Sequence, residues 1–182
     1  MVESDPLVLP AEAAGEAKTY VRAVNGEDDA LISALIGAAA DACEGYTRRL
    51  LLSRGVRETA RAGDTWLRLS RTPVRAVTGL EAVAADGGAT PLPPADYAID
   101  IDANGDGWVR MTGGPPRRVR VSYEAGLATA WAELPDALRH GIVRLAGHFY
   151  ALRGDAAGRG PAPEPPASVS ALWRPYRRLS LG

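Results

Sequence analysis

The chain has one cysteine, one lysine, one phenylalanine and two histidines, and no long apolar run. The lone Cys43 excludes a disulfide framework. It falls among alanines where a helix is expected, so it reads as a buried, inert thiol rather than a nucleophile. Lys18, the only lysine, follows no Gly-rich loop, and no serine stands in a GxSxG elbow. His140 and His148 are eight residues apart, about 80° around a helix, with no acidic ligand between them. That is not HExxH or any other zinc spacing. No apolar stretch approaches the roughly 18 residues of a membrane span. Met1 to Pro10 carries acids where a signal peptide needs a basic region. The expectation is therefore a chain with no catalytic, metal or cofactor-binding residues, no membrane association, and a life in the cytoplasm until something assembles it.

What is present is a 182-residue chain with 46% apolar content, room for one ordinary core and one small subdomain. Formal net charge is -1, so nothing global suggests nucleic-acid binding. The charge is arranged in blocks. Residues 1–29 carry seven acids against Lys18 and Arg22, whereas residues 48–75 carry eight arginines against Glu58 and Asp64. Opposite patches on one small molecule favour contact between copies, although solvated surface would look the same.

Alanines and glutamates from Pro10 to Val24 read as a first helix, stopped near Asn25-Gly26. A second helix follows, capped by Asp28 or Asp29, with Leu31, Ile32, Leu35, Ala38, Ala39, Ala42 and Tyr46 on its apolar face. After Leu52 the period changes from about 3.6 to 2. Leu67 and Leu69, then Tyr97, Ile99 and Ile101, then Val119, Val121 and Tyr123 alternate with polar or small residues. Gly63-Asp64, Asp86-Gly87-Gly88, Asn104-Gly105 and Gly113-Gly114-Pro115-Pro116 punctuate them. A third helix starting at Leu134-Pro135-Asp136 places Leu138, Ile142, Leu145, Ala146 and Phe149 on one stripe and should pack on the second. From Gly154, proline and glycine crowd a stretch that reads as a linker. Beyond it, Val169, Leu172, Trp173 and Tyr176 with Arg177 and Arg178 form an aromatic and basic segment that either docks on a partner or folds back on its own core.

Asp100-Ile-Asp102-Ala-Asn104-Gly105-Asp106-Gly107 fits the first half of a calcium-binding loop in two registers. Position twelve falls on Met111 or Gly113, so the closing glutamate is missing, and the flanks read as strands. The segment is expected to be a polar hairpin turn.

The order of EDDALISALIGAAADACEGYTRRLL, LSRTPVRAV, VSYEAGL, LPDALRHGIVRLAGHFYALRG and LWRPYRRL resembles the head-tail connector (adaptor) family of tailed phages and gene transfer agents. The resemblance runs from about residue 8 to 179. It implies a non-enzymatic structural protein of the virion or particle neck, a homo-oligomeric, twelvefold ring below the portal protein. The ring would join head to tail, meet a stopper or tail-side neck protein, and let DNA through without sequence-specific binding. Portal contact would fall to Leu172, Trp173, Arg174, Tyr176, Arg177 and Arg178, ordering only on the portal, and inter-subunit contact to the second and third helices and the sheet. The fold expected is α+β: an antiparallel bundle of about three helices, a small inserted antiparallel β-sheet domain and an extended C-terminal tail. Its divisions are residues 1–54 (helices), 55–126 (β subdomain), 127–153 (core helix), 154–167 (linker) and 168–182 (docking segment). Two rival readings are a head-closure or tail-completion protein and, in another class, an enzyme accessory or substrate-binding module.

Overall fold

The computed structural model describes residues 1–182 except Asn25, Pro116, 153–164 and 179–182. The linker expected over 154–167 therefore lies outside the described residues, apart from 165–167. The architecture is mixed α+β and divides into two compact units. One comprises Met1–Pro6 and Leu52–Thr129, the other Leu7–Leu51 and Ala130–Gly182. The first residues, expected among the helices, belong instead with the strands.

In the helical unit, α1 spans Ala11–Val21, α2 Asp29–Thr47, α3 Asp136–Leu152 and α4 Ala167–Trp173. Helix α1 stops before Asn25-Gly26 because Arg22 turns left-handed at φ 56°. The N–H groups of Arg22 and Ala23 then donate to the carbonyls of Thr19 and Lys18, which satisfies the last turn. Asp28 precedes α2 without capping it through its side chain. Its carboxylate accepts the Tyr150 hydroxyl instead.

Helix α2 buries Ile32, Ile36, Ala39, Ala40, Cys43 and Thr47, whereas Leu31 and Ala38 face solvent. The apolar face expected from sequence was thus rotated, because alanines on every side give little contrast between faces. Helix α3 packs on α1 and α2 and buries Leu138, Ile142, Leu145 and Ala146, with Phe149 only half-buried. Each large aliphatic removed from water here contributes about 1.5–3 kcal/mol.

The strand unit holds two antiparallel sheets. Strands β1 (Val2–Ser4), β2 (Arg54–Ala62), β8 (Arg117–Ala125), β4 (Val74–Val83) and β5 (Ala89–Pro91) pair in that order. A smaller sheet pairs β3 (Leu67–Arg68), β7 (Gly107–Met111) and β6 (Tyr97–Ile101). Register in the larger sheet sets Val56 against Tyr123, Glu58 against Val121 and Leu80 against Val121. Alternation then sends Val56, Glu58, Val119, Val121 and Tyr123 to the buried face. The opposite face carries Arg57, Arg61, Arg118 and Arg120. Hairpin β6–β7 turns at Asn104-Gly105, where Gly105 has φ +77° and an added β-carbon would lie 2.4 Å from Cβ of Pro73. Only glycine fits there.

Candidate functional site

The aromatic and basic C-terminal segment is neither extended nor held away from its subunit. Proline at position 166 precedes α4, and the helix gives way at Arg174–Tyr176 to a single 3-10 turn containing Pro175. Val169 and Trp173 are buried. The Trp173 indole lies over Gly141 of α3, its Nε1 donates to the Leu138 carbonyl at 3.4 Å, and its ring meets Tyr46 of α2 at 5.8 Å between centroids. The Arg177 guanidinium covers the Tyr46 ring at 5.5 Å, and the Arg178 N–H donates to the Thr47 carbonyl at 2.9 Å.

The structure therefore corrects the expectation for Trp173 and for the segment's order. Burying a large indole in a notch that lacks a side chain outweighs the entropy of leaving it free. The other expected contact residues gather round that anchor. Arg174 and Arg177 are exposed, while Leu172, Tyr176 and Arg178 are half-buried.

A second constellation, which the sequence did not reveal, fixes the turn at 69–73. Glu58 is 5% exposed and accepts the Ser70 N–H at 2.9 Å, the Ser70 hydroxyl at 2.6 Å and the Tyr123 hydroxyl at 2.9 Å. The Tyr123 oxygen in turn accepts the Arg71 N–H at 3.1 Å. Burial, before any other cause, raises the Tyr123 phenol above its ordinary range, so it stays a donor to Glu58. Every member of the network is partnered, which makes it a brace.

The acidic segment at 100–107 is the tip of the β6–β7 hairpin, and its turn at 102–106 is closed by the Asp102 side chain. Asp102 Oδ1 accepts the N–H groups of Asn104 at 2.9 Å and Asp106 at 2.8 Å. These bonds, the Asp106 N–H foremost, hold the Asp102 carboxyl below its usual range, and Asp106 pairs with Arg68. Cys43 is fully buried, and desolvation, helped by the neighbouring Glu44 charge, pushes its thiol far above the ordinary range. The thiolate needed for nucleophilic attack is thereby suppressed.

An open groove of about 710 Å³ runs along α1 and α3 past Glu16, Thr19, Tyr20, Arg139 and His140. Its charges are engaged with one another. Arg139 bridges Asp136 at 2.9 Å and Glu16 at 3.8 Å, and Glu16 also accepts the Trp131 indole N–H at 3.1 Å.

Two faces of the strand unit stand out. On the smaller sheet, Arg110 covers Trp66 at 4.8 Å and Arg68 lies 5.9 Å from the Trp108 centroid, with Trp66 46% exposed. On the larger sheet, Arg61 of β2 sits directly opposite Arg118 of β8, and Thr59 opposite Arg120. The arginine block read along 48–75 is thus dispersed. Arg48 and Arg49 belong to the helical unit, Arg68 is paired with Asp106, and Arg57 and Arg61 join Arg118 and Arg120 from far along the chain.

The chain is similar to solved structures of particle necks. A chain in the neck of a native GTA particle, computed with C12 symmetry, is 30% identical with a TM-score of 0.72. One in the neck of an empty GTA particle, computed with C6 symmetry, and one in the virion of a native gene transfer agent (GTA) particle are each 29% identical with a TM-score of 0.77. In all three, the likeness covers 100% of this chain and 98% of the other. No family model and no curated protein matches it.

Proposed function

Because the chain belongs to the head-tail connector (adaptor) family of tailed phages and gene transfer agents, we propose that it is a non-catalytic neck subunit. It assembles into a ring of twelve below the portal, extends the DNA channel and joins head to tail. The observation that carries this reading is the end-to-end likeness to a neck chain solved with C12 symmetry. A rotation that closes on itself makes such a ring from one subunit, provided two different patches on each copy are complementary.

Helices α2 and α3 and the strand unit supply the contacts between copies in this proposal. The Trp66, Arg68, Trp108 and Arg110 face suits such contact, since tryptophan and arginine are the residues most enriched at binding hot spots. Portal contact falls to Arg174 and Arg177, with Leu172, Tyr176 and Arg178 beside them. Trp173 serves as the anchor that presents them rather than as a contact. A stopper or tail-side neck protein meets the ring from the other direction.

Capture on immobilised portal from the same particle tests the portal contact. Wild type is retained, and R174A/R177A binds at least tenfold more weakly. Undiminished capture of that variant removes the segment from the interface. Capture by the tail-side neck protein with none by the portal favours a head-closure role instead.

A further inference from the structure

We infer that the outer edge of β6 is a strand-addition site for an extended segment of a different protein, one in which aliphatic and basic residues alternate. The smaller sheet runs β3, β7, β6, so β6 pairs on one side only. Its register with β7 sets Ala98 opposite Arg110 and Asp100 opposite Trp108. At the ends of that pairing the Asp102 N–H donates to the Asp106 carbonyl at 2.9 Å, and the Thr112 N–H to the Asp96 carbonyl at 3.0 Å. Bonding in an antiparallel pair alternates along each strand. The even positions of β6 therefore bond to β7, and the N–H and C=O groups of Tyr97, Ile99 and Ile101 point away from it. No described residue bonds these groups.

An open edge of this kind pairs readily with another strand, and proteins blunt their edges against it. The other edges of the strand unit are blunted. Strand β5 ends in Pro91, which has no N–H, and β1 and β3 are only three and two residues long. Strand β4, where β5 leaves it uncovered, breaks register twice between Val74 and Gly79. By contrast, β6 carries no proline, no lysine and no bulge. Its Ile99 and Ile101, at alternate positions on one face, are 40% and 36% exposed.

The charges along the edge choose its occupant. Asp100 faces away from the two isoleucines, and Asp96 and Asp102 stand at the two ends of the strand. Asp106 is paired with Arg68, while Arg110, diagonal to Asp100 on β7, lies over Trp66. A second copy of β6 laid antiparallel on this edge about Ile99 would set Asp96 opposite Asp102 at both ends. The neighbouring registers set Asp96 opposite Asp100, or Asp100 opposite its own counterpart, and like charges so placed destabilise a sheet. The β1 edge of a second copy brings Glu3 and, just after it, Asp5. The strand that fits puts aliphatic side chains beside Ile99 and Ile101 and lysine or arginine beside Asp100, so it comes from another protein.

The inference goes beyond the neck reading and is measured on the purified chain alone. The probe is a heptapeptide of alternating arginine and valine, blocked at both ends, followed by fluorescence anisotropy and by amide exchange. In the free chain the amides of Tyr97, Ile99 and Ile101 exchange freely, while those of Ala98 and Asp100 are protected. Bound peptide protects the first three at least tenfold. A valine lies opposite Ile99 in this pairing, with its N–H toward β6. N-methylation of the valines therefore abolishes binding, and N-methylation of the arginines leaves it within twofold. I99K weakens binding at least tenfold, while retained protection at Ala98 shows that the hairpin is intact. No binding, binding without new protection, or equal binding of the two methylated peptides overturns the inference. So does protection of the three amides in the free chain, which means that its own residues or a second copy already cover the edge.

Discussion

A β-carbon added to Gly141 would lie 2.3 Å from Nε1 of Trp173. Helix α3 lacks a side chain where the indole crosses it, and this absence lets the C-terminal segment lie down between α3 and Tyr46. The aromatic anchor and its notch are separated by 32 residues of chain, many of them the Pro- and Gly-rich stretch.

Substituting Gly141 by alanine therefore acts on the C-terminal segment before it acts on α3. Overpacking of this kind costs about 1–3 kcal/mol. Urea denaturation should report a loss in that range for G141A, and limited proteolysis should cut near residues 165–178 first. W173A should destabilise by about 3–5 kcal/mol through the cavity it leaves. A G141A protein with wild-type stability and protease resistance would mean that the indole does not depend on the notch.

Tyr123→Phe removes a donor from Glu58 and an acceptor from the Arg71 N–H in one step. Leaving buried polar groups unpaired costs about 1–3 kcal/mol. The expected result is a lower urea midpoint at unchanged m-value, with faster amide exchange confined to residues 69–73. Unaltered exchange there would show that the turn is held by other contacts.

Asp102 makes the turn at 102–106 sensitive to acid. Its folded carboxyl sits below the ordinary 3.8 because two backbone N–H groups favour the charged form. The stabilisation is complete above that ordinary value and is lost as pH falls through the lower, folded one. Amide exchange at Asn104 and Asp106 should hold steady from pH 7 to about 5, after allowance for the intrinsic rate, and lose protection only in stronger acid. D102A should show unprotected amides at every pH.

Cys43 should be silent toward thiol reagents in the folded chain. A disulfide reagent at pH 8 is expected to label it only after denaturant is added, then to completion, because burial suppresses the thiolate. Rapid labelling of the native chain would contradict both its burial and its inert reading.

What the sequence disclosed and what it hid follow from how much contrast each element carries. Val119, Val121 and Tyr123 alternate with Arg118, Arg120 and Ser122, so β8 was plain. Strand β2, RGVRETARA, turns Val56, Glu58, Ala60 and Ala62 inward, and a glutamate in the buried register disguises it. Helix α2 was evident but its face was not, since Ala38, Ala39 and Ala40 look alike on any side. The aromatic and basic residues of the C-terminal segment were visible as a group. Their resting place was not, because a glycine in α3 gives no sign in sequence that an indole will cross it. The arginine face is assembled from positions 57, 61, 118 and 120, which only strand pairing brings together.

The neck reading meets its most direct test in electron microscopy of the purified chain mixed with portal. The account predicts end-on views of a ring with twelvefold symmetry seated on the portal. Portal particles that stay bare at saturating concentrations of a folded, intact chain would contradict it.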